Sequence, residues 1–172
     1  MKKSSAVFLI ALLAAALTVG AIAAAVAGAR KKAGSYKRET IDRVDFTVEN
    51  TQQSFSLSDG GDFVAEITFT AAKTEAEFFA MIEDITVAGE GIVKTEVIPA
   101  DAEGGYKAAV GAVLPAKDGK ALPLRWTVRV YFSASGPGVV SPVLRVEFTS
   151  GVKREASDGR VFTVPLTFTV TE

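Results

Sequence analysis

The acidic side chains carry most of the acid–base chemistry open to this sequence, because it contains neither histidine nor cysteine. Three pairs of carboxylates lie close together along the chain: Asp59 and Asp62, Glu75 and Glu77, and Glu83 and Asp84. A glycosidase needs two such groups facing each other across a cleft, at about 5–10 Å. A turn explains the first pair, and a predicted helix explains the other two, since negative charge is favoured at a helix N-terminus. The sequence therefore predicts no catalytic residue, and we expect the chain not to be an enzyme.

The missing residue types exclude several further classes of site. Without histidine, neither a Ser-His-Asp triad nor an HExxH zinc site can be built. Without cysteine, there is no disulfide framework, thiolate nucleophile or iron–sulfur ligation. The sequence also contains no nucleotide-binding motif, so we expect no cofactor.

Calcium is the one metal that the acidic turns suggest. Residues 58–62 and 101–105 each combine two carboxylates with glycine carbonyls. Neither segment has the EF-hand spacing, and Ca²⁺ takes about six to eight oxygen ligands. Turn formation explains both segments without a metal. Asp59 and Asp62 are the first ligands to test if a calcium site exists.

The charge balance argues against nucleic acid as a partner. Five of the 19 lysines and arginines fall within residues 1–32, whereas all 20 acidic residues follow them, so residues 33–172 carry 14 basic and 20 acidic side chains and a net charge of −6. Binding to phosphates needs a clustered basic face. We expect a protein partner rather than a nucleic acid.

A small group of residues could form an interaction surface on the outer face of one sheet: Arg125, Arg129, Tyr131 and Arg145. Such a basic stripe would suit an acidic protein. The alternative is that the arginines pair with cross-strand carboxylates such as Glu66 or Glu147.

Alternation of apolar and polar residues dominates the chain from residue 40 onward, as expected of strands with two different faces. Five stretches alternate cleanly, and two weaker ones occur at 92–98 and 106–114: the clean stretches are 44–48, 63–69, 124–132, 144–148 and 162–170. Seven such strands predict an all-β fold in which two antiparallel sheets pack face to face. With Trp126 on an inward face, the plan resembles an immunoglobulin-like or fibronectin-like sandwich, although it lacks the paired cysteines and tyrosine corner of immunoglobulin domains.

Two segments depart from simple alternation. Thr74 and Glu77 have the spacing of a capping box, and Phe78, Ile82 and Ile85 follow at helical spacing, which predicts one short amphipathic helix that packs on the core. Pro165 lies inside the last strand and donates no backbone hydrogen bond, so that strand is predicted to be an edge or to be bulged there.

The N-terminal segment reads as a membrane helix or an export signal. Lys2 and Lys3 precede an apolar run over residues 6–29, which ends at three basic residues. As a helix, the run would be about 36 Å long, enough to cross a hydrocarbon layer of about 30 Å. A retained signal anchor and a cleaved signal peptide both remain open, because small residues follow the A-x-A pattern near its end. The basic residues after the run would also permit the reverse orientation.

The sequence thus predicts three parts: a signal anchor or signal peptide with a basic flank at 1–32, a linker at 33–39, and a β-sandwich domain at 40–172. The expected location is the cell membrane, crossed once through residues 6–29 in contact with lipid, with the domain outside the cytoplasm. The expected role is a non-catalytic module that mediates a protein interaction at that surface. The alternative is a secreted module that binds a glycan or calcium.

Overall fold

The computed structural model describes residues 35–152 and 159–172. These residues form thirteen β-strands, named here in chain order: β1 Tyr36–Ile41, β2 Val44–Glu49, β3 Gln52–Ser56, β4 Asp62–Lys73, β5 Phe79–Ala88, β6 Ile92–Ala100, β7 Ala116–Lys117, β8 Lys120–Ala121, β9 Leu124–Ser133, β10 Gly138–Val140, β11 Val143–Gly151, β12 Arg160–Pro165 and β13 Thr167–Thr171. The apolar run at 6–29 and its basic flank lie outside the described residues. Across the described part of the chain, no helix is long and apolar enough to cross a bilayer.

The strands form two packed layers. The first sheet is antiparallel and has the order β1-β2-β4-β9-β6. The second layer consists of two three-stranded ladders, β12-β11-β5 and β10-β13-β3. The ladders are continuous, because β12 and β13 follow each other directly and the backbone N–H of Leu166 donates to the carbonyl of Pro142 at 2.8 Å. The predicted all-β, two-sheet sandwich is confirmed, although β3 and β13 pair in parallel. Its first strand begins at Tyr36, within the segment predicted to be a linker.

The core lies between the layers and is aromatic. Phe46 of the first sheet stacks on Phe162 at 4.6 Å between ring centroids and meets Phe148 edge-on at 4.8 Å. Trp126 is fully buried and stacks on Phe69 at 5.6 Å. These rings come from the inward positions of the alternating stretches, so the sequence pattern identifies the core directly.

The chain passes from the first sheet to the second layer between β2 and β3. β2 belongs to the first sheet, and β3 follows it after two residues but pairs with β13 in the second layer. Asn50 takes a positive φ of 63° at the crossing, a conformation that asparagine adopts more readily than most residues. The backbone of Thr51 then bonds to both sides, donating to Ser35 and accepting from Thr167.

The side chain of Gln53 bonds to the backbone that this crossing exposes. Its Nε2 donates to the carbonyl oxygens of Asn50 and Glu66, both at 3.0 Å, and its Oε1 accepts the backbone N–H of Glu66 at 3.4 Å. The ladder between β2 and β4 ends at Thr68, so Glu66 has no β2 residue beside it. The Gln53 amide therefore takes the place that a backbone peptide of a neighbouring strand would occupy there.

The predicted short helix is wrong. Residues 74–78 form a turn in which the N–H of Phe78 donates to the carbonyl of Glu75, and the following residues form β5. Four inward side chains of β5 are buried: Ala80, Ile82, Ile85 and Val87. A β-bulge inserts Glu83 between the two pairs, and this insertion shifts the alternation by one residue.

The predicted strand at 106–114 is also wrong as a regular strand. This segment has only an isolated bridge, between Met81 and Val113, in the described structure. Its backbone nevertheless bonds to the free edge of β5, with Gly111 and Leu114 donating to Ile82 and Ala80 at 2.8 Å. The segment therefore covers an edge that would otherwise expose unpaired backbone groups.

Pro165 ends β12, and β13 begins two residues later, so the stretch predicted as one strand is two strands, and the prediction of an edge at Pro165 is confirmed for β12. β12 pairs only with β11, which leaves its other side as an edge in the described structure.

Candidate functional site

Strand β9 presents three of the predicted interaction residues on the outer face of the first sheet. Its inward residues, such as Trp126, are buried, so Arg125, Arg129 and Tyr131 project to the opposite side. The registers of the neighbouring strands place Glu66 of β4 and Glu96 of β6 on either side of Arg129. We call the solvent-facing side of β2, β4, β9 and β6 the outer face.

A chain of polar contacts crosses this outer face. The Nε of Arg129 lies 3.0 Å from a carboxylate oxygen of Glu66, and the Tyr131 hydroxyl donates to Glu96 at 2.9 Å. Lys94 pairs with Glu96, and its ammonium lies 5.4 Å from the centroid of the Tyr131 ring. These contacts confirm the alternative prediction that Arg129 pairs with Glu66.

The same contacts shift the titration of the groups that they join. The hydrogen bond to Glu66 raises the pKa of Arg129, and the hydrogen bond between Lys94 and Glu96 raises the pKa of the lysine. The hydrogen bonds from Lys94 and Tyr131 lower the pKa of Glu96. Arg129, Lys94 and Glu96 therefore stay charged near neutral pH and form a fixed pattern of charge on the outer face.

Arg125 differs from Arg129 because it has no ion pair within the described residues. Its only side-chain contact in that part of the chain is a hydrogen bond of 3.4 Å from Nε to the hydroxyl of Thr70. Arg125 is exposed. A carboxylate of another molecule could therefore reach its guanidinium without displacing a partner carboxylate.

The prediction that all three arginines lie on one sheet is wrong for Arg145. This residue is on β11 in the second layer, where it faces away from the core and pairs with Glu147 two residues along the same strand. Alternation along a strand fixes which side chains share a face of that strand, but it does not fix which sheet the strand joins. Arg145 therefore belongs to a different surface from Arg125, Arg129 and Tyr131.

The two aspartates predicted as calcium ligands lie at the two ends of one turn. Asp59 ends a short 3-10 turn, and Asp62 begins β4, where its carboxylate accepts the hydroxyl of Ser133 at 2.6 Å. Within residues 35–152 and 159–172, no three acidic, histidine or cysteine side chains gather as a metal site. Calcium binding at Asp59 and Asp62 stays a prediction.

Three of the four remaining paired carboxylates, those of Glu75, Glu83 and Asp84, are engaged in structural contacts. Glu75 lies 3.8 Å from Arg43, and Glu83 accepts the hydroxyl of Thr149. Asp84 accepts the backbone N–H of Ile85 at 2.9 Å.

The structure also reveals a residue that the sequence reasoning missed. Lys73, the last residue of β4, is only 9% exposed and makes no side-chain hydrogen bond or ion pair in the described structure. It lines a cavity of about 750 Å³ at one end of the sandwich. Burial lowers the pKa of its ammonium. The sequence did carry a signal, because Lys73 is the next member of the inward series of β4 after Phe69 and Ala71.

We expect Lys73→Met to raise the free energy of unfolding at neutral pH by about 1 kcal/mol, because it removes a partly desolvated charge that no ion pair in the described residues compensates. The difference from the original chain should shrink as pH rises toward 10.5, the ordinary pKa of lysine. In that range the unfolded chain binds the proton more strongly than the folded chain does, so raising the pH stabilises the folded lysine form. Urea unfolding at several pH values measures this change.

The matched control is Lys117→Met, which makes the same substitution at an exposed lysine of β7. Its effect on the unfolding free energy should be small at every pH. If the difference in unfolding free energy between the Lys73→Met variant and the original chain stayed constant from neutral to alkaline pH, that result would contradict the desolvation of Lys73.

Comparison with known proteins gives only distant similarities. No protein-family model and no curated protein sequence matches the chain. Among solved structures, the chain is similar to the CooA pilin subunit from enterotoxigenic Escherichia coli, at 10% identity and a TM-score of 0.39, over 71% of this chain and 91% of that one. It is also similar to AggA, the major subunit of aggregative adherence fimbriae type I from Escherichia coli, at 8% identity and a TM-score of 0.43, over 81% and 97%.

A third similar structure is an ASH/PapD-like domain of human CEP192, at 13% identity and a TM-score of 0.40, over 76% of this chain and 87% of that one. At such identities and scores, nothing about the activity or partners of this chain follows from these three proteins. The case for its function therefore depends on its own residues.

Proposed function

We propose that this chain is a non-catalytic β-sandwich module that binds a protein partner through its outer face, on the extracytoplasmic side of a membrane. The observation that carries the proposal is the composition of that face. Two neighbouring rows, rich in threonine, cross β2, β4 and β9 there: Thr47, Thr70 and Arg125 in one, and Glu49, Thr68 and Thr127 in the other, which continues to Ile98 of β6.

Short side chains on a hydrogen-bonded sheet are well suited to protein contact. Ordering a rotamer-rich side chain at an interface costs about 0.5–1.5 kcal/mol, and threonine loses less because it has few rotamers. Each threonine also offers both a methyl group and a hydroxyl to a partner. The outer face is therefore preorganised for a broad, flat contact, which a small substrate does not need.

The charges around the threonine rows indicate the character of the partner. Arg129, Lys94, Glu66 and Glu96 are engaged with one another. Arg125 is the exposed cation of β9 without a carboxylate in the described structure. A partner with an acidic side chain opposite Arg125 would complete this pattern and gain specificity from it.

The membrane location rests on the sequence alone. A long apolar run after two lysines is typical of an export signal or a signal anchor. A retained run would keep the domain at the membrane, so that a membrane-bound or envelope partner would be within reach. A cleaved run would release the domain as a secreted module.

Site-specific photo-crosslinking in the intact host tests the proposal. A benzophenone side chain at Thr70 of the outer face should give a covalent adduct with an extracytoplasmic or membrane protein. The matched control is the same side chain at Thr163, which faces solvent from β12 in the second layer. Arg125→Glu in the Thr70 variant should reduce the adduct, because it reverses the charge offered to the partner.

Two readouts decide the outcome. Adducts that form equally from both positions, or from neither, would contradict binding through the outer face. The intact mass of the protein in the membrane and soluble extracytoplasmic fractions decides the location. A full-length mass in the membrane supports the anchor, whereas a soluble species that begins near Gly28 or Arg30 favours the secreted alternative.

A further inference from the structure

The buried lysine at the end of β4 has its backbone fixed by the sheet. Lys73 is paired with Val44 in the ladder between β4 and β2, and its side chain points to the inner side of the sheet like that of Ala71. The ladder fixes the direction in which the side chain leaves the strand. Most of the Lys73 side chain is thus held inside the sandwich, while its ammonium stays in contact with solvent.

Lysine is rarely buried to this degree unless it is paired. Lys73 is 9% exposed and has no carboxylate partner in the described part of the chain. Lys73 lines an open cavity of about 750 Å³, and small-molecule sites measure about 300–1,000 Å³. The arrangement has the character of a binding site whose anion is supplied from outside the chain.

The cavity walls carry a second lysine. The wall opposite the end of β4 is the hairpin of β7 and β8, and Lys120 lies there on the exposed side. Asp118 and Gly119 form the turn of this hairpin with positive φ angles of 51° and 73°, as an Asp-Gly pair allows. This two-residue turn fixes the position of Lys120 along the rim.

Two of the three carboxylates of the cavity are already paired. Asp45 lies 3.6 Å from Arg38, and Glu75 lies 3.8 Å from Arg43. Glu77 remains as an acid without an ion pair in the described residues. Two lysines against one uncompensated glutamate favour a ligand with a single negative charge, because Glu77 would repel a doubly charged phosphate more strongly.

We propose that this cavity binds a carboxylate group, which Lys73 holds at the buried end and Lys120 holds at the rim. The carboxylate belongs either to a small molecule or to a protein partner. Binding would give Lys73 the charge-assisted hydrogen bond that it lacks. This site is separate from the outer face, so it does not depend on the function proposed above.

Lysine acylation on the full-length chain in mild detergent tests this proposal. A succinimidyl ester is added, and peptide mass spectrometry gives the acylation rate at each lysine. The probes are N-acetylglycine and a short glycine peptide with a free C-terminus, and the controls are their uncharged amides. With a probe at about ten times its dissociation constant, acylation of Lys73 should slow about tenfold, because only the unoccupied fraction reacts.

Several results would support or overturn the site. Protection by N-acetylglycine shows a small-molecule site, and protection by the peptide alone shows a partner's carboxylate. Protection by the amides as well, or by no probe up to its solubility limit, overturns the proposal. The rate at exposed Lys117 should not change, and a matching fall there would show a non-specific effect and also overturn it.

A second variant keeps the test independent of folding. Lys120→Met leaves Lys73 in place as the reporter and changes only an exposed residue at the rim. It should weaken the protection of Lys73 several-fold, whereas Lys117→Met should leave it unchanged. Equal protection in both variants would remove Lys120 from the site.

Discussion

Replacement of Trp126 by alanine should lower the free energy of unfolding by about 3–5 kcal/mol, the cost of truncating a large buried aromatic side chain. The indole is fully buried near the start of β9 and stacks on Phe69. The cavity that remains would be bounded by strands of both layers and could not collapse without moving one of them. Urea unfolding followed by circular dichroism measures the loss, since the variant has no tryptophan left for fluorescence.

Two further substitutions separate the causes of this effect. Thr127 follows Trp126 in β9 and faces the outer side. Thr127→Ala should therefore change the unfolding free energy by about 0.5 kcal/mol or less. Trp126→Phe should cost much less than the alanine change, because it keeps most of the ring and removes an indole N–H that has no partner in the described structure. If the alanine and phenylalanine variants were equally destabilised, the volume of the ring would not be the cause.

Replacement of Gln53 by leucine should cost about 1–3 kcal/mol, the penalty of leaving partly buried backbone groups without the hydrogen bonds of its amide. Leucine is apolar and one methylene shorter than glutamine, and it can neither accept the N–H of Glu66 nor donate to its carbonyl. The loss should appear in urea unfolding. Hydrogen exchange at the Glu66 amide should also accelerate by more than the global change predicts, because the local bond is lost as well.

The neighbouring glutamine offers a matched control. Gln52 is on the same strand but is exposed, with no side-chain hydrogen bond in the described residues. Gln52→Leu should therefore leave both the unfolding free energy and the Glu66 exchange nearly unchanged. Equal effects at the two positions would show that the Gln53 amide does not replace a strand there.

The alternating pattern predicted most of the fold because the pleat of a strand is a local property. The inward series that contains Phe46, Phe69, Trp126 and Phe162 is buried as its spacing indicates. The pairing order could not be predicted in this way. The change of layer at Asn50 and the parallel pairing of β3 with β13 depend on contacts between residues more than 100 positions apart.

The wrongly predicted helix has a specific physical cause. The bulge at Glu83 makes the buried side chains fall at 80, 82, 85 and 87, and part of that spacing matches a helical turn. Ile82, Ile85 and Val87 are β-branched, and such residues favour strands. Giving more weight to their branching than to the spacing would have predicted β5.

The candidate sites were predicted only in part. Arg129 was expected to pair with Glu66 and does so, because both lie on adjacent strands of one sheet. Arg145 was grouped with it, but sheet membership is decided by tertiary pairing rather than by local pattern. Lys73 was missed because a lysine at the end of a strand is usually taken to be solvated. Its position in the alternation of β4 nevertheless indicated that it faces the core.

The parallel pairing of β3 with β13 also has a consequence in time. β3 spans residues 52–56, and its partner spans 167–171, so a ribosome must synthesise more than 100 further residues before β3 can be paired. Contacts this distant along the chain form slowly, and their absence leaves the earlier strands incomplete. The pairing of β3 therefore forms late relative to translation, after nearly the whole chain has been synthesised.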